Sequence, residues 1–166
     1  MKEKEEAVVL VYGFGGHNEQ MKRLYNGVKE HTKGKVFITI CDSMTRTIIT
    51  DAAFVISTPF KPIRYSYLKG FFKLPKAIYT CIRTAIKINK SHNIKTVVST
   101  GPSIGLLYGF ILKFLFCTEF IYLETWSRFT SKSAAGRVAY LFADYFLIQN
   151  ESLKTIYKKG IYLGRL

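Results

Sequence analysis

Apolar residues in this chain follow two rhythms: short unbroken runs, and longer stretches spaced by three and four. Ala7-Val8-Val9-Leu10-Val11-Tyr12 and Lys95-Thr96-Val97-Val98-Ser99 are of the first kind. A β-branched run without alternation predicts a strand buried on both faces, as in a parallel sheet covered by helices. Gly13-Phe14-Gly15-Gly16-His17 follows the first run and Thr100-Gly101-Pro102-Ser103-Ile104-Gly105 the second, and each turn leads into a helical pattern. Along the whole chain the same reading predicts strands at 7–12, 35–41, 52–57, 94–99, 118–123 and 144–149. Helices are predicted at 18–31, 74–90, 103–116, 131–142 and 151–158. Such alternation predicts one α/β domain over 1–166, a Rossmann-like parallel sheet with right-handed crossovers and helices on both faces. Ligands of such sheets bind beyond the carboxyl ends of the strands, where the turns Gly13–His17, Thr100–Ser103 and Glu124–Arg128 all fall.

Charge adds a surface to this frame. The formal net charge is +14, and from Ala52 through Thr118 there is no Asp or Glu, although an even spread would place about four there. Lys69, Lys73, Lys76, Arg83, Lys87 and Lys90 follow helical steps, with Thr80 filling the one gap. Beside them runs an apolar stripe of Leu68, Phe71, Phe72, Ile78, Ile82, Ala85 and Ile86. Pro75 fits the first turn of the main helix, where its missing N–H costs nothing. Aromatics among lysines over 65–72 suit a headgroup interface, with rings at the boundary and ammonium groups on lipid phosphates. Two other readings stay open: a solvated basic face over a core stripe, and a groove tracking a nucleic-acid backbone. No RNP, KH or zinc-finger signature accompanies the charge, so no specific nucleic acid is expected.

The cysteines, Cys41, Cys81 and Cys117, are odd in number and widely spaced with no CxxC pair, which fits a reducing compartment and no metal site. The charged start, Met1 to Glu6, is no signal peptide. The longest apolar stretch, Ile104 to Phe116, is broken by Lys113 and falls well short of the roughly 20 residues that span a bilayer. The first glycine turn matches neither of two phosphate-binding fingerprints. Asn18 stands where a dinucleotide site wants glycine or alanine, and no Gly-Lys-Ser/Thr ending makes a P-loop. His17 reads either as a polar contact at a helix start or as a catalytic group.

Several spaced segments carry a family resemblance: Val98 to Ser103, Ile121 to Arg128, Ser131 to Arg137, Ala143 to Gln149, Ile161 to Leu166, and the Gly-Gly-His of 15–17. Together they resemble the membrane-associated subunit of the two-subunit N-acetylglucosaminyltransferase of the dolichol pathway and its bacterial counterparts in capsule and exopolysaccharide synthesis. The resemblance implies the N-terminal, acceptor-binding half of a GT-B glycosyltransferase. A small catalytic subunit, as partner, would supply the half that binds the nucleotide sugar, a UDP-sugar, and this chain would hold no cofactor. The acceptor implied is a polyprenyl diphosphate carrying a first sugar, met at the cytoplasmic face of the plasma membrane by a peripheral protein. Eukaryotic members carry an N-terminal membrane anchor not seen here, which favours the bacterial type.

Site roles implied by the resemblance are as follows. His17 either accepts the proton of the acceptor hydroxyl or binds its diphosphate, and Glu124 either serves as base in its place or pairs with Arg128. Gly15, Gly16, Gly101, Ser103 and Arg128 would line the diphosphate or sugar. Lys69, Phe71, Phe72, Lys73, Lys76, Arg83, Lys87 and Lys90 would face the membrane. Tyr162, Leu163, Gly164, Arg165 and Leu166 would dock the catalytic partner. Phe14, Asn18 and the Asn150-Glu151 pair depart from the family pattern. Two rivals predict different chemistry: a self-sufficient dinucleotide domain binding NAD or NADP, and an RNA module whose affinity falls steeply with salt.

Overall fold

The computed structural model describes residues 4–32, 34–42, 54–57 and 74–166. Lys69, Phe71, Phe72 and Lys73, with the rest of the aromatic and basic stretch at 65–72, lie outside the described residues.

The strands are β1 (Glu6–Tyr12), β2 (Val36–Cys41), β3 (Phe54–Ser57), β4 (Asn93–Ser99), β5 (Glu119–Leu123), β6 (Tyr145–Ile148) and β7 (Ile161–Tyr162). They form one seven-stranded sheet in the order β3-β2-β1-β4-β5-β6-β7. Every pairing is parallel. Among the described residues the α-helices are α1 (Gly16–Val28), α2 (Leu74–Ser91), α3 (Ser103–Phe116) and α4 (Ala134–Ala139), with a 3-10 turn at Glu151–Thr155.

Ala7 through Tyr12 are all buried, as an unbroken apolar run requires. Their side chains divide between two cores because successive residues point to opposite faces. Ala7, Val9 and Val11 join Cys81, Ala85, Ile104, Tyr108 and Leu112 of α2 and α3. Val8, Leu10 and Tyr12 join Met21 and Tyr25 of α1. The helices that follow β1 and β4 therefore leave to opposite faces from adjacent central strands. Strand order also reverses here, so the carboxyl ends of β1 and β4 open a crevice between the two turns.

Three expectations change. The predicted helix at 131–142 shrinks to Ala134–Ala139: Ser133 caps its start by accepting from the Gly136 N–H at 2.8 Å, and past its end the Leu141 and Phe142 N–H groups donate to carbonyls three residues back. The predicted helix at 151–158 is a 3-10 turn. Ile161 and Tyr162, read as tail, form a seventh strand on β6.

Candidate functional site

The turns after β1 and β4 are laced together. The Gly13 N–H donates to the Gly101 carbonyl at 3.0 Å, and the Thr100 N–H to the Val11 carbonyl at 3.3 Å. A Cβ on Gly13 would stand 2.8 Å from Pro102 Cγ and 3.1 Å from Asp42 Oδ2, so only glycine admits both neighbours. Gly101 has φ +87°, and a Cβ there would stand 3.1 Å from His17 Cε1 and 3.3 Å from the Tyr122 hydroxyl. By contrast, a Cβ on Gly15 or Gly16 would meet nothing within 4 Å. Both are exposed, leaving the first amides of α1 open to a ligand.

His17, in the first turn of α1, is half-buried and fixed twice. Its Nδ1 lies 2.5 Å from the Thr100 carbonyl oxygen, and the Thr100 hydroxyl donates to the His17 carbonyl at 2.8 Å. A carbonyl can only accept, so Nδ1 carries the proton and the neutral ring keeps its lone pair on Nε2. That is the tautomer a base needs, and it is set by the neighbouring strand. Ser103, at the start of α3, is exposed on the same edge. Asp42 follows β2 directly, and the sequence reading gave it no role. Burial pushes its carboxyl above the ordinary 3.8, while the N–H groups of Phe14 and Asp42 and the charge of His17 pull the other way.

Glu124, at the end of β5, has a different setting. It is fully buried. Its Oε2 accepts from the Tyr157 hydroxyl at 2.6 Å and from Ser133 Oγ at 3.0 Å, and its Oε1 accepts from the Thr125 N–H at 2.9 Å. Burial first, then Glu124, raises both Tyr122 and Tyr157 far above the ordinary tyrosine value of 10.0. Both phenols therefore stay protonated. Arg128, the other pairing expected for Glu124, is exposed and donates instead to Ser131 Oγ at 3.1 Å. The geometry separates the two carried-over candidates: His17 sits at the β1 and β4 turns, while the buried Glu124 carboxylate ties β5, Ser133 before α4 and Tyr157 together.

The loop carrying Arg128 is held from β6. Asn150 Nδ2 donates to the carbonyls of Trp126 at 2.9 Å and Arg128 at 2.5 Å, and Ser152 Oγ to that of Phe129 at 2.6 Å. Asn150, one of the departures from the family pattern, thus has a structural task. Gln149 Nε2 donates to the Glu124 carbonyl at 2.9 Å, and its Oε1 accepts from the Leu166 N–H at 3.3 Å. Arg23 of α1 lies 5.1 Å from the Trp126 ring centroid and donates to the Leu166 carbonyl at 3.4 Å. The tail therefore lies against this edge of the sheet, with Tyr162 in β7, Leu163 78% exposed, Gly164 at φ +100° and Arg165 over Phe129 at 5.8 Å.

Away from this edge, Lys76, Arg83, Lys87 and Lys90 are exposed along α2. Tyr79, Arg83, Lys87 and Lys90 help line a surface groove of about 450 Å³. Near the start of α2, Leu74, Leu107, Phe110, Val138 and Phe142 line an apolar groove of about 270 Å³, and Ser103 at the start of α3 borders it. Phe110, Phe114 and Phe142 are in ring contact there, and Phe114, Leu115 and Leu141 are 55%, 54% and 81% exposed. Among the described residues no helix is long and apolar enough to cross a membrane, and no cluster of His, Cys, Asp and Glu could hold a metal ion.

Residues 8–166 match the family described as Oligosaccharide biosynthesis protein Alg14 like. The chain belongs to this family. Two Alg14 relatives fit over nearly its whole length. The UDP-N-acetylglucosamine transferase subunit alg14 of Schizosaccharomyces pombe is 26% identical, over 96% of this chain and 83% of the relative. The human subunit ALG14 is 23% identical, over 96% and 82%. Among solved structures, Acinetobacter baumannii MurG superposes with TM-score 0.60 at 12% identity, over 88% of this chain and 41% of MurG. The UDP-GlcNAc 2-epimerase of Methanocaldococcus jannaschii superposes with TM-score 0.66 at 9% identity, over 96% and 45%. The chain thus has the fold of one Rossmann-like lobe of a GT-B protein, and spans less than half of those structures.

Proposed function

We propose that this chain is the acceptor-binding subunit of a two-subunit glycosyltransferase of lipid-linked oligosaccharide synthesis. Its acceptor is a polyprenyl diphosphate carrying a sugar, and its partner is a small subunit that binds the nucleotide sugar. The observation that carries the reading is His17, held by the Thr100 carbonyl with Nε2 free, beside the open amides at Gly15 and Gly16. The diphosphate binds at these amides and at the start of α3 near Ser103, where helix N-termini favour anions. His17 Nε2 then takes the proton of the acceptor hydroxyl. The hydroxyl oxygen forms a bond to the anomeric carbon of the donor sugar, the bond from that carbon to the diphosphate oxygen breaks, and the nucleotide diphosphate leaves with the electron pair. The proton passes from His17 to solvent. Glu124 acts as a positioning residue that fixes the loop bearing Arg128.

The relatives' names, which call them subunits of a UDP-N-acetylglucosamine transferase, support both the donor class and the need for a partner. The tail at 162–166, ordered against Gln149 and Arg23, is the proposed docking segment. Attachment to the membrane is peripheral: the apolar groove and the exposed Phe114, Leu115 and Leu141 insert, while Lys76, Arg83, Lys87 and Lys90 meet lipid phosphates. The test is transfer from UDP-N-acetylglucosamine to a synthetic prenyl diphosphate bearing one N-acetylglucosamine, by the chain with its captured partner. Activity of the pair and none of either chain alone supports the reading; full activity of this chain alone contradicts it.

A further inference from the structure

The apolar groove and the crevice at the β1 and β4 turns meet at the start of α3. Ser103, the first residue of that helix, borders the groove. Gly101, two residues earlier, lies against His17, with the position a Cβ would take there 3.1 Å from His17 Cε1. Two residues of chain reach about 7 Å at most, so the groove begins within that backbone distance of the histidine turn. From Ser103 it follows α3 through Leu106 and Leu107 to Phe110, a rise of about 10 Å along the helix. Phe142, which also lines it, stacks on the buried Phe120 ring at 5.2 Å, so the groove is backed by the core. Among its described lining residues Ser103 alone is polar, and it stands where α3 begins. That end favours an anion: Pro102 makes no side-chain cap, the first turn of α3 holds no acid, and the N–H groups of a helix start carry partial positive charge.

We infer that this groove holds the first prenyl units of the acceptor, with the diphosphate at its Ser103 end and the sugar beyond, toward His17. This rests on the reading of the chain as the acceptor-binding subunit. A groove that is apolar along its length and favours an anion at one end complements an amphiphile whose charged group is joined directly to an apolar chain. Burying the start of that chain adds affinity that diphosphate contacts in water do not supply. A second copy of this chain fits the groove less well, because two molecules of net charge +14 repel. Bilayer lipid alone explains less of it: insertion needs an apolar surface but no anion-favouring end, and the exposed Phe114, Leu115 and Leu141 already supply such a surface outside the groove. The groove thus draws the acceptor chain from the bilayer onto the protein where the chain meets its diphosphate.

The test is calorimetric binding of two soluble acceptor analogues to the full chain, without lipid or detergent. Each is an N-acetylglucosaminyl diphosphate of the same charge, one ending in a methyl group and the other in a geranyl group. The geranyl analogue is expected to bind about tenfold or more tightly, since even partial burial of its chain supplies that much. Phe110→Ser, which opens the groove, and Val138→Trp, which fills it, are each expected to cut the preference to about twofold or less. Both side chains are half-exposed, so the core is left intact, and if one variant does not fold the other decides. Equal affinity for the two analogues, or a preference that survives the variants, overturns the inference and leaves the diphosphate site standing. Weaker flotation of the variants on liposomes with the geranyl preference intact marks the groove as membrane surface only, and overturns it too. Binding of neither analogue overturns the acceptor-site reading and the inference with it.

Discussion

The proposed role of His17 as base rests on a backbone carbonyl 83 residues away in sequence, which sets its tautomer. His17→Gln is expected to reduce kcat of the reconstituted pair by about a hundredfold or more, the usual worth of a positioned base, with the circular dichroism spectrum unchanged. Glu124 should behave oppositely, losing stability before chemistry. Glu124→Ala strands the Tyr157 and Ser133 hydroxyls and the Thr125 N–H, and should cost about 3 kcal/mol or more in urea unfolding. Glu124→Gln, which keeps an acceptor oxygen, should cost less. At Asp144 burial would raise the carboxyl, but hydrogen bonds from Lys113 and the Phe120 N–H, with the Lys113 charge, outweigh it and hold it below the ordinary 3.8. The stability this gives is present above the ordinary range and lost as pH falls through the lowered value. Asp144 is partly exposed, so Asp144→Asn should remove at most about 1 kcal/mol at neutral pH and flatten the acid limb of the unfolding curve below about pH 4. At this scale the sequence showed residue types without partners. The histidine after two glycines was visible, but the Thr100 carbonyl and the Tyr157 hydroxyl meet their partners only across strands.

Elements were more legible than residues where burial alone dictates them. The run Ala7–Tyr12 is buried on both faces, and the helix predicted at 103–116 is α3 at those bounds. Short elements escaped because tertiary pairing makes them: β7 is two residues long and exists through β6, and α4 is cut to six residues by its Ser133 cap. The close seat of α3 on β5 also depends on a detail without periodicity. A Cβ on Gly109 would come within 2.8 Å of Phe120 Cδ2, so the helix rests its backbone on that ring. Gly109→Ala should overpack this contact and cost about 1–3 kcal/mol, read as a lower midpoint in denaturant with an unchanged slope.

For the whole molecule, the topology places the β1 and β4 turns, the Trp126 loop and the tail on one edge, and the basic and apolar faces of α2, α3 and α4 elsewhere. The alternation of strands and helices made that architecture readable, and the window without Asp or Glu made a basic face readable on α2. The apolar groove beside it was hidden, since its residues come from three helices. Replacing Lys76, Arg83, Lys87 and Lys90 by Gln should weaken flotation with anionic liposomes by about tenfold or more and leave neutral liposomes unaffected. Unchanged flotation would remove α2 from the membrane face.

The central claim is that this chain supplies the acceptor lobe of a split transferase. Its most direct test is affinity capture from native cells in mild detergent, followed by assay of the recovered complex with UDP-N-acetylglucosamine and the sugar-bearing prenyl diphosphate. The account predicts a small nucleotide-sugar-binding chain in the complex, transfer by the pair, and loss of transfer when the two are separated. Recovery of this chain alone, or of a complex that transfers no sugar to the prenyl diphosphate, would contradict it.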